Sequence, residues 1–86
     1  MVAVTETEFK ISPAQTNLKA GVITFDVKNV GKLPHDLAIK GGKKTNLIQP
    51  GGTAQLTAQL KPGKYHLYCT VPGHEQAGMK VDVTVS

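Results

Sequence analysis

Cysteine, histidine and methionine recur as Cys69-x4-His74-x4-Met79, and a second histidine stands upstream in Pro34-His35-Asp36. One thiolate, two imidazoles and one thioether make a soft nitrogen-and-sulfur donor set. Such a set suits copper: two histidines and a cysteine in a trigonal plane, with a weak axial methionine, serve both copper oxidation states and pass single electrons. Zinc accepts the same thiolate and imidazoles, but structural zinc sites bring more cysteines, and methionine is not a customary zinc ligand. A binuclear copper centre would want a second cysteine. A cysteine nucleophile with a histidine base would need an oxyanion donor and an orienting group that this short chain does not offer, so an enzyme is not expected. The chain holds one cysteine, which excludes an internal disulfide, and metal ligation accounts for the unpaired thiol.

Four ligands far apart in sequence need elements that bring them together. Glycine and proline punctuate the chain at Ala20-Gly21, Val30-Gly31, Gly41-Gly42, Pro50-Gly51-Gly52, Pro62-Gly63 and Pro72-Gly73, with short alternating segments between. Ile23, Phe25 and Val27 alternate with Thr24, Asp26 and Lys28; Leu37 and Ile39 alternate with Ala38 and Lys40; Val81, Val83 and Val85 alternate with Lys80, Asp82 and Thr84. Residues 2 to 11 and 53 to 60 also read as strands. No amphipathic helix is expected. The pattern predicts an all-β fold of about seven or eight strands, a two-sheet antiparallel sandwich or a small barrel, in one domain spanning residues 1–86, with no parallel sheet.

Side chains two apart on a strand face the same way. His35 therefore shares the face of Leu37 and Ile39, Cys69 that of Leu67, and Met79 that of Val81 and Val83, so three ligands point inward at strand ends. His74 is delivered by the loop turning at Pro72-Gly73. His66 is out of phase with Leu67 and Cys69, so it faces away and is not a ligand; Tyr68 shares that outward face.

A chain of 86 residues is one small domain with a thin stability margin, so copper binding is expected to raise its unfolding temperature. No eighteen-residue apolar stretch exists, so no membrane span is predicted, and no signal peptide is apparent. The chain reads as a mature or excised domain. Net charge is +4, and all ten basic residues are lysine, scattered without interleaved aromatics. That argues against nucleic-acid binding, which leans on arginine forks and stacking rings.

Pro34-His35-Asp36 and the run from Leu60 to Cys69 resemble plastocyanins; Cys69-Thr70-Val71-Pro72-Gly73-His74 resembles the azurin ligand loop; the longer span to Met79 resembles auracyanin-like loops. The chain is thus similar to the cupredoxins from Gly21 to Val85. The resemblance implies a Greek-key β-sandwich, copper bound by His35, Cys69, His74 and Met79, and one-electron transfer between partners such as cytochromes or oxidases, outside the cytoplasm. It implies that Asp36 ties the ligand segments together near Thr70, while the N–H groups of Asp36 and Val71 donate to the Cys69 sulfur. Asparagine is the more frequent neighbour at position 36, and the Asp36 charge predicts a lower potential than in Asp36→Asn. Pro34 replaces the glycine whose carbonyl approaches copper in azurin, which favours four ligands. A monomer exposing His74 amid Leu33, Pro34, Val71, Pro72 and Ala77, with lysines such as Lys32 steering acidic partners, completes the expectation. A copper storage or delivery domain is the alternative.

Overall fold

The computed structural model describes residues 1–86 as eight strands and one helical turn. The strands are β1 Val2–Thr7, β2 Lys10–Pro13, β3 Asn17–Leu18, β4 Gly21–Asn29, β5 Ala38–Ile39, β6 Thr53–Leu60, β7 Gly63–Tyr68 and β8 Lys80–Val85, and α1 is His74–Ala77. One sheet has the order β2-β1-β4-β6 and the other β3-β8-β7-β5. Alternation drives the arrangement: Ile23, Phe25 and Val27 of β4 and Leu56, Ala58 and Leu60 of β6 point inward to meet Leu67, Val83 and Val85 of the opposite sheet in one buried cluster.

Three expectations need correction. Both sheets are mixed, because β1 pairs parallel with β4 and β3 pairs parallel with β8. Strand direction follows from how the chain crosses between sheets, which side-chain alternation does not encode. The second correction is α1, a single turn too short to produce a helical periodicity. Gly73, at φ 84°, starts it in a left-handed conformation that a side chain would resist. Thirdly, the segment expected as a half-buried strand is buried on both faces from His35 to Ile39, with Asp36 inside beside His35, and only Ala38–Ile39 pairs as a strand, with β7.

The pairings also fix where the loops gather. Parallel β1 and β4 end at the same pole, and antiparallel β7 ends where β8 begins. The turn after β1, the segment after β4 and the β7–β8 connection therefore share one end of the sandwich.

Candidate metal centre

Each of the clustered side chains is held by its own backbone. His35 exchanges two hydrogen bonds with Ile48, its N–H reaching the Ile48 carbonyl at 3.1 Å and its carbonyl accepting from the Ile48 N–H at 2.7 Å. Asn29, fully buried at the end of β4, donates from Nδ2 to the carbonyls of Leu33 at 2.8 Å and Ile48 at 2.9 Å, and its Oδ1 accepts from the Gly31 N–H. These bonds close the loop that carries His35. Across the pole, the Cys69 N–H donates to the Met79 carbonyl at 3.2 Å and the Met79 N–H to the His74 carbonyl at 3.1 Å, so the three residues of the opening motif are tied to one another through the backbone.

His35, Cys69 and His74 converge. Their Nδ1 atoms lie 3.1 Å apart, and the Cys69 Sγ is 3.7 Å from His74 Nδ1 and 4.0 Å from His35 Nδ1. Those three separations place the point equidistant from all three atoms about 2.1 Å from each, which matches bond lengths of about 2.0–2.3 Å from a first-row metal ion to nitrogen and sulfur. The donor set thus fits a metal ion on distance as well as on chemistry. Met79 is fully buried at the mouth of β8, directly after this cluster.

Asp36 braces the segments that carry His35 and Cys69. Its Oδ1 accepts from the Thr70 N–H at 2.6 Å, its Oδ2 accepts from the Thr70 hydroxyl, and its own N–H points at the Cys69 sulfur at 3.5 Å. Burial pushes the Cys69 thiol up, the N–H groups of Asp36 and Val71 pull it back, and the charges of Asp36 and Glu6 raise it further. A cation among the three donors would reverse that balance in favour of the thiolate.

A cupredoxin-like domain model matches residues 1–84. The chain belongs to the cupredoxin family. Its fold superposes on an auracyanin from the photosynthetic bacterium Roseiflexus castenholzii, in a dithionite-reduced structure, with a TM-score of 0.81 and 22% identity, covering 98% of this chain and 94% of that one. Auracyanin B gives a TM-score of 0.81 at 23% identity, covering 99% of this chain and 87% of that one. A multicopper oxidase gives 0.75 at 14% identity, covering 98% of this chain but 43% of the oxidase. At these identities the likeness is one of fold. No curated protein sequence matches the chain.

Within this cupredoxin the sequence reading missed the turn after β1. Residues 2 to 11 are two strands, not one, and Glu8 and Phe9 between them touch the centre. The Phe9 ring meets the His74 imidazole edge-to-face with centroids 5.0 Å apart, while Glu8 Oε1 lies 3.3 Å from His35 Nε2. No glycine or proline marks this break. The available signal was parity, which puts Glu6 and Glu8 on the face of Val2 and Val4. His66 lies outside the cluster: its ring bonds Asp82 through Nδ1 at 2.9 Å and Glu75 through Nε2 at 2.8 Å, and stacks on Tyr68.

Proposed function

We propose that this cupredoxin is a one-electron carrier in which His35, Cys69 and His74 would hold a copper ion, with Met79 as a fourth, weak donor. The convergence of the three side chains around a point at metal-bonding distance supports this reading most directly. Copper in such a donor set supplies reversible one-electron exchange. The protein supplies rigidity: Ile48 and Asn29 fix the His35 segment, and Asp36 links it to Thr70 beside Cys69, so ligands keep their places as charge changes.

His74 is the route by which electrons leave and enter. It is half-buried, its ring is flanked by Phe9, and Phe9 and Leu33 are exposed apolar side chains at the same pole, an arrangement suited to a brief encounter. Exposed Lys32, next to Leu33, steers acidic redox partners such as cytochromes or oxidases, so exchange with a partner slows as ionic strength rises. The protein acts as a monomer outside the cytoplasm; no helix is long and apolar enough to cross a membrane. Full burial of His35 and Cys69 disfavours delivery of copper from an exchangeable site.

Addition of Cu(II) to the purified protein gives an intense visible thiolate-to-copper band that Cys69→Ser abolishes, and reversible voltammetry with slow loss of copper to a chelator. A colourless protein defeats the copper reading; a coloured protein that surrenders copper rapidly favours delivery over electron transfer.

A further inference from the structure

Glu8 is joined to the His35 loop by more than one bond. Its Oε1 accepts from the Lys32 N–H at 2.5 Å and the Leu33 N–H at 2.6 Å, and the same oxygen lies 3.3 Å from His35 Nε2. The carboxylate is folded over Gly31: a Cβ at that position would meet the Glu8 Oε2 at 2.7 Å and Cδ at 2.8 Å. Glycine at 31 therefore leaves the space that the carboxylate fills. Glu8 is on the turn between β1 and β2, its side chain partly exposed, while the His35 ring is fully buried.

The two nitrogens of His35 face different partners. Nε2 faces Glu8, and Nδ1 faces His74 and Cys69. An ionised carboxylate only accepts hydrogen bonds, so the ring hydrogen sits on Nε2 and the lone pair on Nδ1 is turned into the cluster. The N–H groups of Leu33 and Lys32 favour the charged form of this carboxylate and move its pKa down. A negative group behind an imidazole raises the basicity of the ligating nitrogen and fixes the ring's orientation.

We propose that Glu8 is a positioning residue of the metal centre, whose carboxylate fixes the His35 tautomer and ring and biases the centre toward the more highly charged, oxidised metal. This rests on the copper reading above. It adds a residue outside the ligand set and on a different strand pair from Cys69, His74 and Met79. The β1–β2 turn becomes part of the site, with Glu8 on one imidazole and Phe9 on the other.

Three variants test it, each measured for Cu(II) and Cu(I) affinity by chelator competition, for reduction potential and for the thiolate-to-copper band. Glu8→Gln keeps an oxygen that accepts from Lys32 and Leu33 but removes the charge. Glu8→Ala removes the group. Gly31→Ala leaves Glu8 in the chain and displaces the carboxylate, a flexible side-chain end that can swing into solvent. Each variant is expected to weaken Cu(II) binding by roughly 10–100-fold, the range found when partners of ligating histidines are lost, with a smaller loss for Cu(I). A tenfold difference between the two losses raises the potential by about 59 mV. A merely structural role for Glu8 would lower the unfolding temperature without moving the potential of the folded protein, so unchanged potentials in Glu8→Gln and Gly31→Ala overturn the proposal. If Glu8→Ala does not fold, those two variants decide it. Wild-type protein that takes up no copper overturns the underlying reading, and the Glu8 proposal with it; wild-type and variant proteins that are equally coloured at one potential overturn the Glu8 proposal alone.

Discussion

Glu6 and Glu8 are the same residue type, two positions apart, Glu6 near the end of β1 and Glu8 on the turn that follows it, yet they meet opposite electrostatic fates. Glu6 is fully buried, and neither carboxyl oxygen has a hydrogen-bond partner in the protein. Burial, with the charge of Asp36 added, pushes its pKa up to about 8, so it is uncharged at neutral pH. Glu8 has backbone N–H donors at 2.5 and 2.6 Å and a histidine ring beside it, and its pKa moves down. Donors decide the difference. A carboxyl at this pole carries charge where backbone N–H groups converge on it and loses it where it is buried without a donor, and the one that keeps its charge is the one that touches the His35 ring.

The contrast predicts opposite pH slopes in the copper-free protein. Glu6 keeps its proton in the folded state up to about 8 but loses it at an ordinary 4.5 when unfolded, so stability falls as pH rises through that window and levels off above it. At 1.36 kcal/mol per unit the fall amounts to a few kcal/mol. Glu8 runs the other way: its contribution is present above the ordinary carboxyl range and is lost as pH falls through its lowered value. Urea midpoints collected from about pH 2 to about pH 9 should therefore pass through a maximum, and Glu6→Gln should flatten the alkaline side only. An alkaline limb that survives unchanged in Glu6→Gln would show that Glu6 is not the uncharged carboxyl described here.

Replacing the same two residues by leucine gives a smaller effect of opposite sign. Glu6→Leu removes a buried polar group without partners and is expected to stabilise the protein by roughly 1–3 kcal/mol, with about 4–8 °C in Tm for each kcal/mol. Glu8→Leu strands the N–H groups of Lys32 and Leu33 and lowers Tm. Scanning calorimetry on both variants checks the pair; a loss of stability in Glu6→Leu would mean that the carboxyl is satisfied inside the core.

Asp36 stands between these extremes, buried like Glu6 yet doubly hydrogen-bonded to Thr70. Asp36→Asn should raise the reduction potential of the copper-loaded protein, because it removes a buried charge beside the Cys69 sulfur while its amide retains the acceptor for the Thr70 N–H. An unchanged or lower potential in Asp36→Asn would remove Asp36 from the groups that tune the centre.

Much of this was legible in the residues because two periodicities agree. Leu67 and Cys69, or Val83 and Met79, share a face by parity, and the structure buries each of them. His35 was reachable by the same rule from Leu37 and Ile39, and His66 was removed by it. Parity says nothing of strand direction, so the parallel β1–β4 and β3–β8 pairings were missed. It also runs through a break that no glycine or proline announces, so Glu8 and Phe9 were read as mid-strand residues when they form the turn that grips both imidazoles. Helix α1 escaped because four residues hold only one turn.

The smallest expected effect concerns the charged links of His66, on the outward face of β7. His66 bonds Asp82 and Glu75 from its two ring nitrogens, and only an imidazolium can donate to both carboxylates at once. Asp82 foremost, and Glu75 with it, raise the His66 pKa above its ordinary 6.5, so this link is complete below that value and is lost as pH rises through the raised one. The decline overlaps the upper part of the Glu6 window, and the pair is solvent-exposed, so its share is slight and is best read in a Glu6→Gln background. There, His66→Asn should remove the small alkaline decline that remains. Because Glu75 lies in α1, amide protection at Ala77 and Gly78, corrected for intrinsic exchange rates, should fall over the same pH range in Glu6→Gln and lose that dependence in the double variant. Protection that is independent of pH before His66 is changed would detach α1 from the His66 pair and leave Gly73 and the backbone bonds of Met79 as what holds the loop that carries His74.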